Sequence, residues 1–276
     1  MANIVEKCCD YLYSKDCKKT VPMNALMDAK LIAHRGGDYD NKEYFENTIE
    51  VMNRSLKSGV WGIEFDVRWT RDLMPVVFHD ASLKRLYDLP HKIKDLMFTE
   101  LFEIAPKVPT LQQVVEMFGK KLHLMIEIKS EKYTHRSAQN YLLKQYLRKL
   151  DAGKDYHIIS IDPKFLKNIQ FIFPNYFLSV GMLNTKKMSQ YAIDNRFAGT
   201  ASWYPLLKKE MIDLHHKRNQ HVGTGWISNI DLMKREICRG VDWFFSKNAI
   251  ELRSEIIHKY GMSMEPYYDY KERSLK

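Results

Sequence analysis

The sequence predicts an α/β protein built as a (β/α)8 barrel, on three observations. Strand-like and helix-like segments alternate eight times in succession. The eight pairs fill about 230 residues, the size that such a barrel takes. No Pro- or Ser-rich linker breaks the series, so the expected division is a helical leader over residues 1–29 and one barrel domain over residues 30–276. A doubly wound open sheet is the competing architecture.

The elements follow in order. Lys30 to Gly36 reads as the first strand and Asn47 to Ser58 as its helix, with Gly59 as C-cap. Gly62 to Thr70 is the second strand, and Met74 to His79 is a further extended run suited to a hairpin across the rim. Thr110 to Phe118 forms the next helix, with Pro109 stopping the loop before it. Leu122 to Lys129 is the third strand. Its helix carries Leu142, Leu143, Tyr146, Leu147 and Leu150 on one face. The remaining pairs are Tyr156 to Ser160 with Pro163 to Ile172, Tyr176 to Leu183 with Lys186 to Asn195, and Ala198 to Trp203 with Lys208 to Lys217. His221 to Ile227 with Ile230 to Arg239, and Val241 to Phe245 with Ile250 to Tyr260, complete the eight.

With 276 residues, 45% of them hydrophobic, the chain is globular and can bury a sizeable core. A formal charge of +9 favours anionic partners such as phosphates or acidic lipid surfaces. Lys and Arg are spread along the chain instead of forming a basic arm, which argues against nucleic acid. Four cysteines, three of them at Cys8, Cys9 and Cys17, match neither a disulfide framework nor a zinc site. Glu6, Lys7, Asp10 and Lys15 leave no apolar signal-peptide core, and no run is long enough to span a membrane. A reducing, cytoplasmic setting is the expectation, with the leader an ordinary helix of buried thiols rather than one acylated at Cys8 and Cys9.

In a barrel of this kind the working face lies at the C-terminal ends of the strands. His34 and Arg35 end the first strand, Glu64 and Asp66 sit on the second, His79 ends the hairpin run, and Glu127 and Lys129 sit on the third. Alternation along a strand points Glu64 and Asp66 the same way, and likewise Glu127 and Lys129. Three carboxylates converging inside a barrel repel one another unless a cation neutralises them, and an all-oxygen set suits Mg²⁺ or Ca²⁺. Taken singly, each of these residues is ordinarily a satisfied core, loop or salt-bridge residue. Their joint placement points to acid/base chemistry at a metal, with Arg35 and Lys129 supplying positive charge to a phosphoryl group.

His34-Arg35-Gly36, Glu46-Asn47-Thr48, Glu64-x-Asp66-Val67, Pro75-Val76-Val77-x-His79-Asp80, Pro109-Thr110-Leu111 and Glu127-x-Lys129 occur in register. In this the chain resembles the glycerophosphodiester phosphodiesterase family over about residues 31–260. The resemblance implies a metal-dependent TIM-barrel enzyme that cleaves glycerophosphodiesters to glycerol 3-phosphate and an alcohol. By position, Glu64, Asp66 and Glu127 would hold the metal with Glu46 at or near its shell, and His34 and His79 would form the acid/base pair. Arg35 and Lys129 would bind phosphate, and Trp226 would wall the substrate pocket, with core packing as its alternative role.

The chain departs from the family pattern in places. Phe45 and Asp72-Leu73-Met74 replace a proline and an Asp-Gly, and Ser246-Lys247-Asn248-Ala249 stands where the family has Thr-Asp-x-Pro. The last change puts the usual closing loop in doubt and gives Lys247 a bearing on what the pocket accepts. Residues 81–108 leave room only for a short lid, whose apolar side chains pack on the rim or shelter a lipid. Three functions therefore compete. They are hydrolysis of soluble diesters such as glycerophosphocholine or glycerophosphoethanolamine, lysophospholipase-D-like or sphingomyelinase-D-like action on a lipid at a membrane surface, and non-catalytic phosphate binding.

Overall fold

Apolar runs of three to eight residues become nine strands: β1 (Lys30–Ala33), β2 (Gly62–Trp69), β3 (Pro75–Val77), β4 (His123–Ile128), β5 (Tyr156–Ser160), β6 (Phe177–Gly181), β7 (Gly199–Trp203), β8 (His221–Gly225) and β9 (Trp243–Ser246). The computed structural model describes residues 2–15, 20–37, 45–131 and 133–259. Cys17, in the expected leader, and Tyr260, expected as a helix end, lie outside them.

All strands but β3 run parallel, in the order β1-β9-β8-β7-β6-β5-β4-β2, and β1 pairs with β2 through Ile32 opposite Gly62 to close the barrel. The fold is the expected (β/α)8 barrel. β3 lies antiparallel to the end of β2, Val77 opposite Val67, and is the hairpin across the rim.

Burial divides along the strands with period two. Ile32, Met125, Ile159, Leu178, Ala201, Trp243 and Phe245 fill the barrel interior. Their neighbours Leu31, Ala33, Leu124, Ile126, Ile158 and Phe244 pack outward with the layer of helices. Ile63, Phe65 and Val67 also belong to the outer layer. The alternation therefore turns Glu64 and Asp66 inward, and Glu127 between Ile126 and Ile128 in the same way.

Local chemistry fixes the helices. Thr48 caps Ile49–Ser58 by accepting from the Val51 amide, and Gly59 ends it in the left-handed region at φ 77°. Thr110 and Gln113 form a reciprocal capping box at the start of Leu111–Phe118. Asn229 caps Ile230–Arg239.

Two expectations are corrected. Pro163 to Ile172 is not a helix but a single 3₁₀ turn, Phe165–Asn168. Asn168 donates its side-chain amide to the Phe165 carbonyl and Ile169 is extended, so the chain leaves the turn before a second can form. The leader is helical over Ala2–Ser14, yet Cys8 is exposed and Cys9 only half-buried. Cys9 and Tyr13, four residues apart, face the core, which turns Cys8 to solvent.

Residues 81–108 form two short helices, Lys84–Tyr87 and Phe98–Ile104, around a cluster of their own. Leu83, Ile93, Leu101, Ala105 and Val108 bury there against Val76 and Phe78. Rim packing accounts for these side chains. No helix among the described residues is long and apolar enough to cross a membrane.

The floor of the barrel holds a second polar feature. His123 stacks on Trp61 at 4.3 Å and gives its Nδ1 proton to the Lys154 carbonyl, so its Nε2 accepts from Nδ1 of His157 at 2.9 Å. Burial first, then His123, His221 and Lys30, pushes the His157 imidazole down to about 2. Below its ordinary 6.5 the unfolded chain binds a proton that the native chain refuses, so this contribution is whole above pH 6.5 and is lost as the pH falls. The slope is up to about 1.4 kcal/mol per pH unit. Urea melts at pH 7 and pH 5 are expected to show a smaller loss for His157→Gln than for the parent; equal losses would remove His157 from the account.

Candidate active site

The site is built where β1, β2 and β4 end. After Ala33 the chain makes one tight turn, His34–Gly36, with Arg35 left-handed at φ 52° and Gly36 at φ 83°. A Cβ on Gly36 would stand 2.8 Å from a methyl of Val51, so glycine is required for the turn to sit against its helix. The turn aims the Arg35 amide at Glu64 Oε2, 2.9 Å away, and brings His34 Nε2 to 3.7 Å from the same oxygen.

β2 and β4 then set three carboxylates together. One oxygen from each of Glu64, Asp66 and Glu127 lies within 4.8 Å of the others. Lys129 reaches Asp66 Oδ1 at 2.6 Å and Glu127 Oε2 at 3.0 Å. Asn47, left-handed at φ 60° and buried, donates its side-chain amide to Asp66 Oδ2 at 2.8 Å. Glu46 stands outside this trio. Arg35 donates to it at 3.0 and 3.2 Å and Arg85 grips it with both terminal nitrogens. Arg85 also reaches Asp80 at 2.6 Å, and Asp80 holds His79 Nδ1 at 2.6 Å. A continuous polar chain thus runs from Arg35 through Glu46, Arg85 and Asp80 to His79, while Arg68 fixes the His79 carbonyl at 2.8 Å.

The electrostatics are those of a site short of positive charge. Burial, then Asp66 and Glu127, pushes the Glu64 carboxyl well above its usual range. Burial and Asp66 raise Glu127 to about 7 against the pull of Lys129. Burial would raise Asp66 as well, but Lys129, His79 and Arg35 outweigh it and hold this carboxylate low. Burial and then Arg35 keep the His34 imidazole neutral, and burial also lowers His79. Glu127 Oε1 is buried with no hydrogen-bond partner among the described residues. Converging carboxyls that hold protons above their usual range, with an orphaned oxygen among them, fit a divalent cation bound by oxygen.

Above them opens a cavity of about 610 Å³ with two unlike sides. His34, Arg35, Glu64, His79, Glu127 and Lys129 line one. Apolar residues from the ends of β5 to β9, among them Ile161, Met182, Trp203, Trp226 and Phe245, line the other. Trp226 meets the His34 ring edge-on at 4.3 Å and the Lys247 ammonium lies 5.1 Å from its ring, so it walls the cavity instead of filling the core. In the closing loop Asn248 donates to the Ser228 carbonyl at 3.1 Å and Ser246 bonds to Asn248, so the altered sequence still ties the last strand to the Trp226 loop.

This constellation has known relatives. The model of the glycerophosphoryl diester phosphodiesterase family matches residues 34–248, from the first histidine to the closing loop. The chain belongs to this family. Among its relatives, the glycerophosphodiester phosphodiesterase of Caldanaerobacter subterraneus subsp. tengcongensis is 28% identical over 201 residues, 68% of this chain and 76% of that one. Glycerophosphodiester phosphodiesterase 1 of Bos taurus is 31% identical over 130 residues, which cover 42% of this chain and only 38% of the bovine protein. The crystal structure of glycerophosphodiester phosphodiesterase from Thermotoga maritima superposes with a TM-score of 0.66 at 25% identity, covering 81% of this chain and 96% of the other. A phosphodiesterase of Oleispira antarctica shares the fold at 19% identity, TM-score 0.69, over 82% and 96% of the two chains.

Of the nine candidate residues of this family member, seven meet at the cavity or on its polar floor without mediation: His34, Arg35, Glu64, Asp66, His79, Glu127 and Lys129. Trp226 lines the same cavity beside His34, and Glu46 is paired with Arg35 and Arg85. Asn47, Asp80 and Arg85 carry further contacts. The first two adjoin Glu46 and His79 in the sequence, and that adjacency could have suggested them. Nothing near Arg85 in the sequence sets it apart.

Proposed function

We propose that this family member is a divalent-metal-dependent phosphodiesterase. It cleaves glycerophosphodiesters such as glycerophosphocholine or glycerophosphoethanolamine to glycerol 3-phosphate and an alcohol. The observation that carries this reading is the meeting of Glu64, Asp66 and Glu127 with two histidines and Lys129 at one cavity.

Glu64, Asp66 and Glu127 would hold the ion, Mg²⁺ or Ca²⁺, which when bound supplies Lewis-acid stabilisation of charge on the phosphoryl oxygens. Lys129, anchored on Asp66 and Glu127, and Arg35, anchored on Glu46, orient the phosphate. One histidine takes the proton of the attacking glycerol hydroxyl as its oxygen bonds to phosphorus. The other enters the step as imidazolium and gives its proton to the alkoxide as the P–O bond breaks, ending neutral. Water then opens the cyclic phosphate, with the two histidines in exchanged roles. Asp80 fixes the Nδ1 proton of His79, leaving Nε2 for the substrate side.

Release of glycerol 3-phosphate from glycerophosphocholine, lost on EDTA treatment and restored by Mg²⁺ or Ca²⁺, is the expected result. Turnover indifferent to EDTA would dismiss the metal, and absence of turnover with either ion would favour the phosphate-binding alternative. A second reading, action on a lipid phosphodiester, is supported by the apolar half of the cavity wall.

A further inference from the structure

The helix Ala2–Ser14 meets the catalytic mouth in two places. Val5 lines the same cavity as His34, His79 and Lys129. Asp10 accepts hydrogen bonds from the Tyr204 hydroxyl and from Ser228 Oγ, both at 2.6 Å. Tyr204 follows Trp203 at the end of β7, and Ser228 lies two residues beyond Trp226 at the end of β8. One carboxylate thus holds both loops that carry the tryptophans of the apolar wall. Tyr13 seats the helix, edge-on to Tyr204 at 5.5 Å and with the Arg235 guanidinium 4.6 Å from its ring. Cys9 and Tyr13 pack against the core, and Val5, four residues before Cys9, lies on the same helix face where it reaches the cavity.

The rim beside Val5 is unusual for a protein surface. Val5 is 55% exposed, Ile161 50%, Met182 55% and Leu183 88%, and all four line this one cavity. Large apolar side chains gathered at the mouth of a pocket mark an apolar ligand. Its chemistry is constrained by the opposite wall. On the proposed function a phosphodiester sits against the wall of carboxylates, Arg35 and Lys129, so the occupant carries phosphate at one end and hydrocarbon at the other.

Resting on the second reading above, we propose that the helix Ala2–Ser14 completes a slot for one alkyl or acyl chain beside the phosphodiester centre. Val5 and Leu183 set chain specificity at the rim, and Asp10 is a positioning residue for the Trp226 loop. The substrate class is a single-chain amphiphilic phosphodiester taken up as a monomer.

The test uses the full chain with added Mg²⁺ or Ca²⁺ and choline release as readout. The substrates are glycerophosphocholine and its 1-acyl esters with two, four, six and eight carbons, all as dispersed monomers. KM is expected to fall by about two- to fourfold per methylene until the slot is filled, with little change in kcat. Val5→Asp and Leu183→Asp, at exposed positions where the fold is not at stake, are expected to flatten that series. Asp10→Ala is expected to raise KM for the octanoyl ester without lowering kcat, and Asp10→Asn to restore it. A flat series in the parent, with choline still released from glycerophosphocholine, overturns the slot and leaves the diesterase reading standing. Should no diester be turned over, n-octylphosphocholine binding followed by tryptophan fluorescence decides. A saturable change lost in Val5→Asp upholds the slot, and no change overturns it.

Discussion

Replacement of His79 or of His34 by alanine is expected to lower kcat on glycerophosphocholine by about 10²- to 10⁴-fold each, the usual worth of a positioned acid or base. Calorimetric titration with Mg²⁺ or Ca²⁺ should find metal affinity close to that of the parent, because neither histidine belongs to the carboxylate trio. The double variant should lose little more than either single one, since the two act on one bond in one turnover. A glycerophosphodiester with p-nitrophenol as alcohol separates the roles. A phenolate leaves without a proton, so the variant lacking the acid is rescued and the variant lacking the base is not. Undiminished turnover in both variants would sink the assignment.

The second large effect runs in opposite directions for stability and activity. Glu64→Gln keeps the side chain's shape and an oxygen for the Arg35 amide, 2.9 Å away in the parent, but removes an ionisable group from between Asp66 and Glu127. The Glu64 carboxyl is raised by burial and by those neighbours, so the metal-free native state retains a proton that the unfolded chain gives up above its ordinary 4.5. The associated stability is present below pH 4.5 and is lost as the pH rises toward the native value. Glutamine carries no such slope, and the metal-free variant should be more stable than the parent at neutral pH. It should also lose metal binding and about 10³-fold in kcat, the several kcal/mol of charge stabilisation that leave with the ion. Thermal melts with EDTA and with Ca²⁺ would show it. Added ion should stabilise the parent and leave the variant unmoved. A metal-free variant less stable than the parent would mean that the trio is not under strain.

Much of this centre is legible in the sequence because a strand's alternation is rigid. Once Ile63, Phe65 and Val67 are taken as the helix-facing set, Glu64 and Asp66 have only the interior to occupy, and Glu127 follows by the same rule. The barrel's closure is legible too, as eight repetitions of one unit. Other features depend on where loops travel in space, which no periodicity encodes. Arg85 lies 39 positions from Glu46 and five from Asp80, yet it joins them into one chain. Met182 and Leu183 read as the ordinary apolar end of a strand and Ile161 as the residue after one, and only the closed ring places them around one mouth. The 3₁₀ turn at Phe165–Asn168 has apolar spacing that suits a helix, but Asn168 bonds back to the Phe165 carbonyl and Asn140 takes the Asn168 carbonyl and the Gln170 amide, backbone groups that a continuing helix would use.

The two unlike sides of the cavity have a consequence for how such a molecule can change. Every residue assigned to the chemistry lies between positions 34 and 129, on β1 to β4 and their loops. The opposite side is drawn from positions 159 to 247 and from Val5. On the proposed function, bond-breaking and choice of ligand are therefore written in separate stretches of the chain, joined where β1 pairs with β9 and β4 with β5 and where Trp226 meets His34. A graft that exchanges the loops after β5, β6 and β7 can redirect what is accepted while leaving each proton carrier on its own strand end. In the first half shared hydrogen bonds fix the distances between charged groups, while in the second those of Asp10 and Asn248 hold the loops that shape an apolar wall.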